Sequence, residues 1–343
     1  MEDKIRIGIT HGDINGIGYE VIMKALMDKR MIELCTPIIY GSPKVAAYYK
    51  KNYDFENISF NQIAQAEQAN SRRINILDCF ADELRVEPGV STQIAGKAAL
   101  VALEQAVSDL KSGSIDALVT APINKDNVQS EAFNFPGHTE FLKARFDANE
   151  VLMILLHNNL RVGVVTGHVP VKDISRYITK ALVFEKIKIL NQSLRTDFGI
   201  RKPRIAILGL NPHAGDNGLI GTEEIEQIIP AIEMANQKGM LAVGPFAADG
   251  FFGSHEYEKF DAVLSMFHDQ GLAPFKALAF DQGVNYTAGL SIIRTSPGHG
   301  TGYSIVGQNI ASEDSMRNAI YLAIDTFRKR SEFQKLNSNP LKK

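Results

Sequence analysis

The sequence predicts an α/β protein with largely parallel sheets, on three observations. Apolar runs of strand length alternate with longer amphipathic segments. Several of these runs are apolar at every position, the pattern of strands covered on both faces. Polar residues with chemical capacity collect just past the ends of the runs, where open α/β sheets gather function. With 343 residues and 45% hydrophobic content, the chain is long enough for two domains.

The elements follow in order. "IRIGIT" reads as a first strand and feeds "HGDINGIGYE" and a helix over 19–29. "TPIIYG" is the next strand, with a helix over 44–51. "INILDC" and "DALVTA" are strands on either side of a helix over 94–112. "VLMILL" and "RVGVVT" are strands before a helix expected over 172–198. "RIAILGL" is followed by a loop and a helix over 223–238. "AVLSMF" and "LSIIRT" are the last strands, and a helix over 313–333 closes the chain. No internal repeat, low-complexity tract or flexible linker interrupts this order.

Composition excludes several classes. Net charge is −2 with acids and bases interspersed, which gives no basic nucleic-acid-binding face. Cys35 and Cys79 lie far apart without a CxxC partner, so buried free thiols are expected and a disulfide framework is not. No apolar stretch approaches a membrane span, and the N-terminus enters a strand pattern without a signal peptide, so a soluble cytoplasmic protein is expected.

Four runs end in histidine: His11, His168, His213 and His268, the last followed by Asp269. Three imidazoles, His168, His213 and His268, form a common ligand set for a divalent transition metal; each could equally be a strand-end histidine satisfied by backbone. "LNPHAGDNGLIGTEE" prescribes a tight loop around His213, with Thr222 and the two glutamates suited to a helix start. In "FPGHTEFL", His138 and Thr139 stand at a helix start, as a cap or as an anion site. Lys276, Asn285 and Arg294 lie along "FKALAFDQGVNYTAGLSIIRT", where cations and an amide could hold an anionic substrate or simply be solvated. "HGDINGIGYE" is neither GxGxxG nor a Walker A loop; a phosphate-contacting turn and a structural strand-to-helix turn both remain open. "FHDQGLAPFK" reads as a glycine turn in which Gly271 and Pro274 carry Lys276 toward the same place as His268.

Taken together and in this order, "HGDINGIGYE", "TAPINK", "FPGHTEFL", "TGHVPV", "LNPHAGDNG", "FHDQGLAPFK" and "GVNYTAGLSIIRTSPGHGTG" resemble the 4-hydroxythreonine-4-phosphate dehydrogenase family of pyridoxal phosphate biosynthesis, from about residue 5 to about residue 330. Ile14 and Tyr19 stand where that family usually has prolines, and Gly298 where it more often has Asp. The resemblance implies two three-layer α/β/α lobes with a cleft between them, similar to isocitrate and isopropylmalate dehydrogenases and not a Rossmann fold. The lobes are expected at 1–135 plus 285–343 and at 136–284, the second carrying most of the metal and substrate residues.

It further implies a homodimer whose active site uses residues of both chains. It assigns His168, His213 and His268 to the metal, and His138, Thr139, Lys276, Asn285 and Arg294 to the substrate. Asp249 and Asp269 are implied to maintain the site, and a desolvated Lys276 is a candidate proton acceptor. No residue is assigned to the cofactor. The implied reaction is NAD- or NADP-dependent oxidation of 4-phosphohydroxy-L-threonine to 2-amino-3-oxo-4-phosphooxybutanoate, which decarboxylates to 3-amino-2-oxopropyl phosphate, with a divalent metal such as Zn, Mg or Co. The alternatives are a related dehydrogenase of a four-carbon sugar-acid phosphate, a phosphate acyltransferase on a similar fold, and a non-catalytic metal- and phosphoester-binding module.

Overall fold

A computed structural model describes residues 4–338. The chain divides into two compact units: one takes the chain up to Phe146 and again Ile292–Phe327, the other Asp147–Ser291 and the chain from Arg328 onward. The helix His138–Arg145 therefore belongs with the first unit, where the expected boundary at 135/136 put it with the second. Its Phe141 packs on Phe133 and Phe135 at ring-centre distances of 5.2 and 5.6 Å, which ties it to the segment before it.

The chain enters the first unit through β1 (Arg6–Thr10), β2 (Thr36–Gly41), β3 (Phe60–Ile63), β4 (Ile74–Asp78) and β5 (Ala117–Thr120). It continues in the second with β6 (Leu152–His157), β7 (Leu160–Thr166), β8 (Arg204–Leu208), β9 (Leu241–Phe246), β10 (Ala262–Phe267) and β11 (Val284–Ala288), and returns with β12 (Arg294–Pro297). In the first unit the order is β3-β4-β2-β1-β5-β12, with parallel pairs throughout. Ile7, Ile9, Ile38, Ile39 and Val119 are fully buried there, as continuous apolar runs require. The helix Gln93–Ser112 packs on β1 and β2 through Ala95, Ala98, Ala99, Ala102 and Leu103. Thr92 Oγ1 accepts from Ala95 N at 3.2 Å to start it, and Gly113, at φ +81°, ends it.

In the second unit the order is β11-β6-β7-β10-β8-β9. β7, β10, β8 and β9 are parallel, but β6 runs antiparallel to both β7 and β11. The antiparallel pair arises because "HNNL" is a hairpin turn, with Asn158 at φ +51°, too short for a crossover helix. The helix expected over 172–198 is divided: a short helix Ile174–Tyr177 ends before Thr179, whose hydroxyl accepts from Leu182 N at 3.2 Å and starts a new one, Lys180–Thr196. "LSII" is not a strand; pairing begins only at Arg294.

The largest departure from the sequence reading is "FHDQGLAPFK", which is not a turn. His268–Ala279 is a helix directly following β10. Gly271 lies inside it because the helix rests on the sheet: a Cβ there would sit 2.4 Å from Ser265 Oγ and 2.8 Å from Val162 Cγ1. Gly271→Ala is therefore expected to destabilise by about 1–3 kcal/mol, read as a lowered urea midpoint. The same substitution displaces the residue at the helix start, His268, so catalytic turnover falls with it.

Candidate active site

The register of β7 on β10 builds the centre of the site in the second unit. Thr166 and Phe267 are partners, so the residues just beyond them emerge side by side. His168 and His268 result, with ring centres 6.0 Å apart and planes tilted by 38°. Both line a cavity of about 440 Å³ with Asp269, Phe267, Val171 and Ile174. His268 Nδ1 lies 2.7 Å from Asp269 Oδ1. With the proton on Nδ1 donated to that carboxylate, the Nε2 lone pair is left for a ligand, the usual carboxylate–histidine arrangement behind a metal-binding imidazole.

Two imidazoles on one ion, at bond lengths of ~2.1 Å, hold their ring centres roughly 5–6 Å apart, so this pair fits a shared cation. The third expected ligand is not with them. His213 does not line this cavity, and among the described residues no group of three or more His, Cys, Asp or Glu side chains is arranged to hold a metal.

His213 stands in an unusual loop. From His213 to Gly218 six successive residues have positive φ, between 43° and 93°. Each non-glycine in this left-handed run costs roughly 1 kcal/mol or more. Glu224 offsets the strain. Its carboxylate, 2% exposed, accepts from Leu210 N and Asn211 N, both at 2.7 Å, and from Asn211 Nδ2 at 2.9 Å. A Cβ on Gly215, at φ +80°, would sit 2.6 Å from Glu224 Oε2, so the loop closes tightly on the acid. The loop also packs against the helix Ala248–Gly253, whose first turn carries the exposed Asp249.

Gln270 joins this loop to the helix that follows β10: its Nε2 donates to Gly209 O at 2.6 Å, and its Oε1 accepts from Met266 N at 2.7 Å. Glu224 and Gln270 both escaped the sequence reading. The first looks like an ordinary helix-start acid in "TEE", and only its burial reveals the pin.

Lys276 is exposed, not desolvated, and occupies the last turn of the helix that His268 begins. Eight residues of helical rise place the two ~12 Å apart along the axis. The expected approach of Lys276 to His268 through a turn is thus replaced by opposite ends of one helix. Asn285, in β11 opposite Leu155, has its Oδ1 enclosed without a hydrogen-bond partner among the described residues.

The first unit holds the remaining expected substrate residues. Arg294 in β12 is 3% exposed and donates from Nε and Nη2 to Thr120 Oγ1 at 3.1 and 2.7 Å. Burial lowers its pKa to about 10, against the pull of the Glu140 carboxylate, so it stays a cation at neutral pH. His138 and Thr139 open the helix His138–Arg145 after Gly137. The His138 ring is half-buried as a residue, but its Nε2 is enclosed and has no hydrogen-bond partner among the described residues. Burial, then the positive charges of Arg294 and Lys125, hold its pKa well below the ordinary value, so it is a neutral imidazole.

"HGDINGIGYE" is a structural turn; every residue from His11 to Glu20 is buried. Asp13 Oδ2 accepts from Tyr303 OH at 2.7 Å and Asn127 Nδ2 at 2.8 Å, and Asp13 Oδ1 from Asn15 N at 2.8 Å. Ile14 and Tyr19 are fully buried; Tyr19 stacks on His11 at 5.4 Å and its hydroxyl accepts from Ser42 N at 2.9 Å. Their place in the core, not on a ligand-facing surface, accounts for both departures from the proline pattern.

Burial lowers His11 to about 4. The unfolded chain takes up protons on His11 and His138 below pH 6.5, whereas the native state does not, so stability is lost as pH falls from 6.5 toward 4. His11 alone accounts for about 2 kcal/mol between pH 6.5 and 5. Urea midpoints at the two pH values are expected to show this loss, and a His11→Asn variant to lack the His11 share of that slope while the His138 share remains.

Comparison with known proteins now adds to the geometry. The fold places the chain in the α/β class that includes isocitrate dehydrogenase: the Methylococcus capsulatus enzyme superposes with a TM-score of 0.53 at 10% identity over 97% of this chain and 89% of that one, a likeness of fold alone. Within that class, the chain belongs to the family described as pyridoxal phosphate biosynthetic protein PdxA, whose model matches residues 33–323. A Bacteroides thetaiotaomicron relative named 4-hydroxythreonine-4-phosphate dehydrogenase is 56% identical over all of this chain and 94% of its own length. The crystal structure of a Burkholderia phymatum protein of the same name superposes with a TM-score of 0.78 at 37% identity, covering 94% of this chain and 98% of that one. An Oceanobacillus iheyensis relative provisionally named D-threonate 4-phosphate dehydrogenase is 37% identical over 95% of this chain and 98% of its own.

Proposed function

We propose that the protein is a cytoplasmic 4-hydroxythreonine-4-phosphate dehydrogenase that oxidises 4-phosphohydroxy-L-threonine with NAD or NADP. The observation that carries this reading is membership of the family along nearly the whole chain, including a relative of that name at 56% identity. Residues of each unit support it by offering chemistry suited to one part of such a substrate. Arg294, His138 and Thr139 suit the phosphate, because a buried guanidinium and a helix start favour a dianion. His168 and His268 are the residues that would hold a divalent cation, which when bound would supply Lewis acidity at the substrate hydroxyl; His213, expected as the third ligand, does not line their cavity. Asp269 fixes the tautomer and orientation of His268.

Lys276 is proposed to take the hydroxyl proton once a second chain covers it, Asp249 to help maintain the site, and Asn285 to offer an amide to the substrate. Loss of that proton from oxygen and transfer of hydride from the carbon bearing it to the nicotinamide leave a 3-oxo acid. Its carbonyl accepts the electron pair released when CO₂ departs, and protonation of the resulting enolate at carbon gives 3-amino-2-oxopropyl phosphate. Among the described residues no helix is long and apolar enough to cross a membrane.

The active form is proposed to be a homodimer with shared sites. Two observations favour it: Lys276 lies away from His268 in its own chain, and the second unit exposes Val171 and Leu219 at 83% and 81% beside the histidine segments. Mixing His268→Ala with Lys276→Met subunits should then restore activity that neither variant has alone; a mixture as inactive as its parts contradicts the shared site.

A second reading, a dehydrogenase of a four-carbon sugar-acid phosphate, is favoured by the provisional name of the Oceanobacillus relative. A panel of 4-phosphohydroxy-L-threonine, D-threonate 4-phosphate and D-erythronate 4-phosphate separates the two. The proposal expects the highest kcat/KM with the first; a clear preference for either hydroxy acid overturns it.

A further inference from the structure

"TAPINK", Thr120–Lys125, has so far contributed only Thr120. We propose that Lys125 is a further substrate-binding residue, the second cation of a cradle in which Arg294, Lys125 and the start of the helix His138–Arg145 receive the phosphate monoester of the substrate. The proposal rests on the dehydrogenase reading for the identity of that substrate.

The loop is built to bring both cations to one place. At its first residue, the Thr120 hydroxyl accepts both hydrogen bonds from Arg294 and fixes the guanidinium. At its last, the backbone is held in position. Asn124 Oδ1 accepts from Asp126 N and Asn127 N at 2.9 and 3.2 Å, and Asn124 Nδ2 donates to Tyr303 OH at 3.1 Å, which itself donates to the buried Asp13. Gln129 Nε2 then donates to the carbonyls of Lys125 and Phe135, both at 2.9 Å, drawing the end of "TAPINK" onto the approach to Gly137. A Cβ on Gly137 would lie 3.8 Å from Lys125 Cε and 3.6 Å from Glu140 Oε2, so the lysine stem and the carboxylate flank the helix start.

Three features point to a phosphate there. The enclosed Nε2 of His138 has no hydrogen-bond partner among the described residues, and it feels both Arg294 and Lys125 as nearby positive charges. The first intrahelical bond runs from Phe141 N to Gly137 O at 3.2 Å, so the amides of His138, Thr139 and Glu140 precede the helical ladder and suit an anion. Two cations beside one helix start suit a group carrying close to two negative charges at neutral pH. Lys125 is exposed, so it closes the cradle from the rim and its replacement leaves the core untouched.

The test uses full-length Lys125→Met and Lys125→Arg enzymes with two readouts: kcat and KM for 4-phosphohydroxy-L-threonine, and the rise in melting temperature produced by inorganic phosphate alone. Lys125→Met should raise KM roughly 10–100-fold with kcat within about 3-fold, and should remove most of the phosphate-induced rise. Lys125→Arg should recover at least half of both. An unchanged KM with an unchanged phosphate effect overturns the assignment, as does an equal loss in both variants accompanied by a lower melting temperature without phosphate. If the wild type fails to oxidise this substrate while the phosphate effect still depends on Lys125, the dehydrogenase reading falls and the phosphate cradle stands. Normal wild-type turnover with a phosphate effect independent of Lys125 gives the reverse.

Discussion

Alanine at His268 is expected to lower kcat/KM at least ~10³-fold and to leave the fold intact. The magnitude follows from the double role of this side chain, which faces the cavity shared with His168 and is oriented by Asp269 at 2.7 Å. Losing the imidazole would remove a ligand for the proposed cation, whose role when bound would be to acidify the hydroxyl; losing only its orienting acid is milder, so Asp269→Asn should cost about 10–100-fold. The fold is expected to survive because the His268 side chain is 36% exposed. Steady-state kinetics with elemental analysis of the purified variant checks the claim: activity and bound metal should fall together. A His268→Ala enzyme that holds metal and turns over normally would contradict the assignment.

Glu224→Ala carries the largest expected loss of stability, about 3–5 kcal/mol, together with loss of activity. The substitution leaves the amides of Leu210 and Asn211 without their acceptor, and removes one of the two acceptors of the Asn211 side chain, Glu223 being the other. It also opens space under Gly215 while the left-handed residues around it keep their intrinsic cost. With the pin gone, the run from His213 to Gly218 relaxes toward ordinary backbone angles and His213 leaves its position. Glu224→Gln should fall between wild type and alanine, since its amide nitrogen cannot accept. Urea melts measure the first effect. The second is read as a fall in turnover under conditions where the variant is still fully folded; wild-type turnover there would show that the loop geometry does not matter to His213.

Much of the architecture was legible because the physics behind it is local. Ile7, Ile9, Ile38, Ile39 and Val119 sit in runs apolar at each position, and such runs have few options other than doubly covered strands. Thr92 and Gly113 delimit their helix by their own chemistry. "FHDQGLAPFK" misled because glycine and proline normally announce a turn. Here Gly271 is demanded by Ser265 and Val162, residues whose proximity only the packed sheet creates.

The candidate site was legible where a residue type suffices and illegible where distance matters. His168 and His268 were visible as strand-end histidines, and the β7–β10 register explains why they meet. That His213 stands apart from them depends on a left-handed loop held by a buried acid, which no local pattern in "TEE" discloses. Lys276 suffered the same limit: its distance from His268 is set by the helix between them, which the glycine and proline had concealed.

The central claim is a dehydrogenation that depends on a cation held by histidines. It is tested most directly by following nicotinamide reduction with 4-phosphohydroxy-L-threonine, before and after treatment with a chelator and again after adding Zn²⁺, Co²⁺ or Mg²⁺. The account predicts reduction of NAD or NADP that the chelator abolishes and at least one of the ions restores. A rate that persists at full strength in metal-free enzyme, or no reduction of either nicotinamide under any of these conditions, would contradict it.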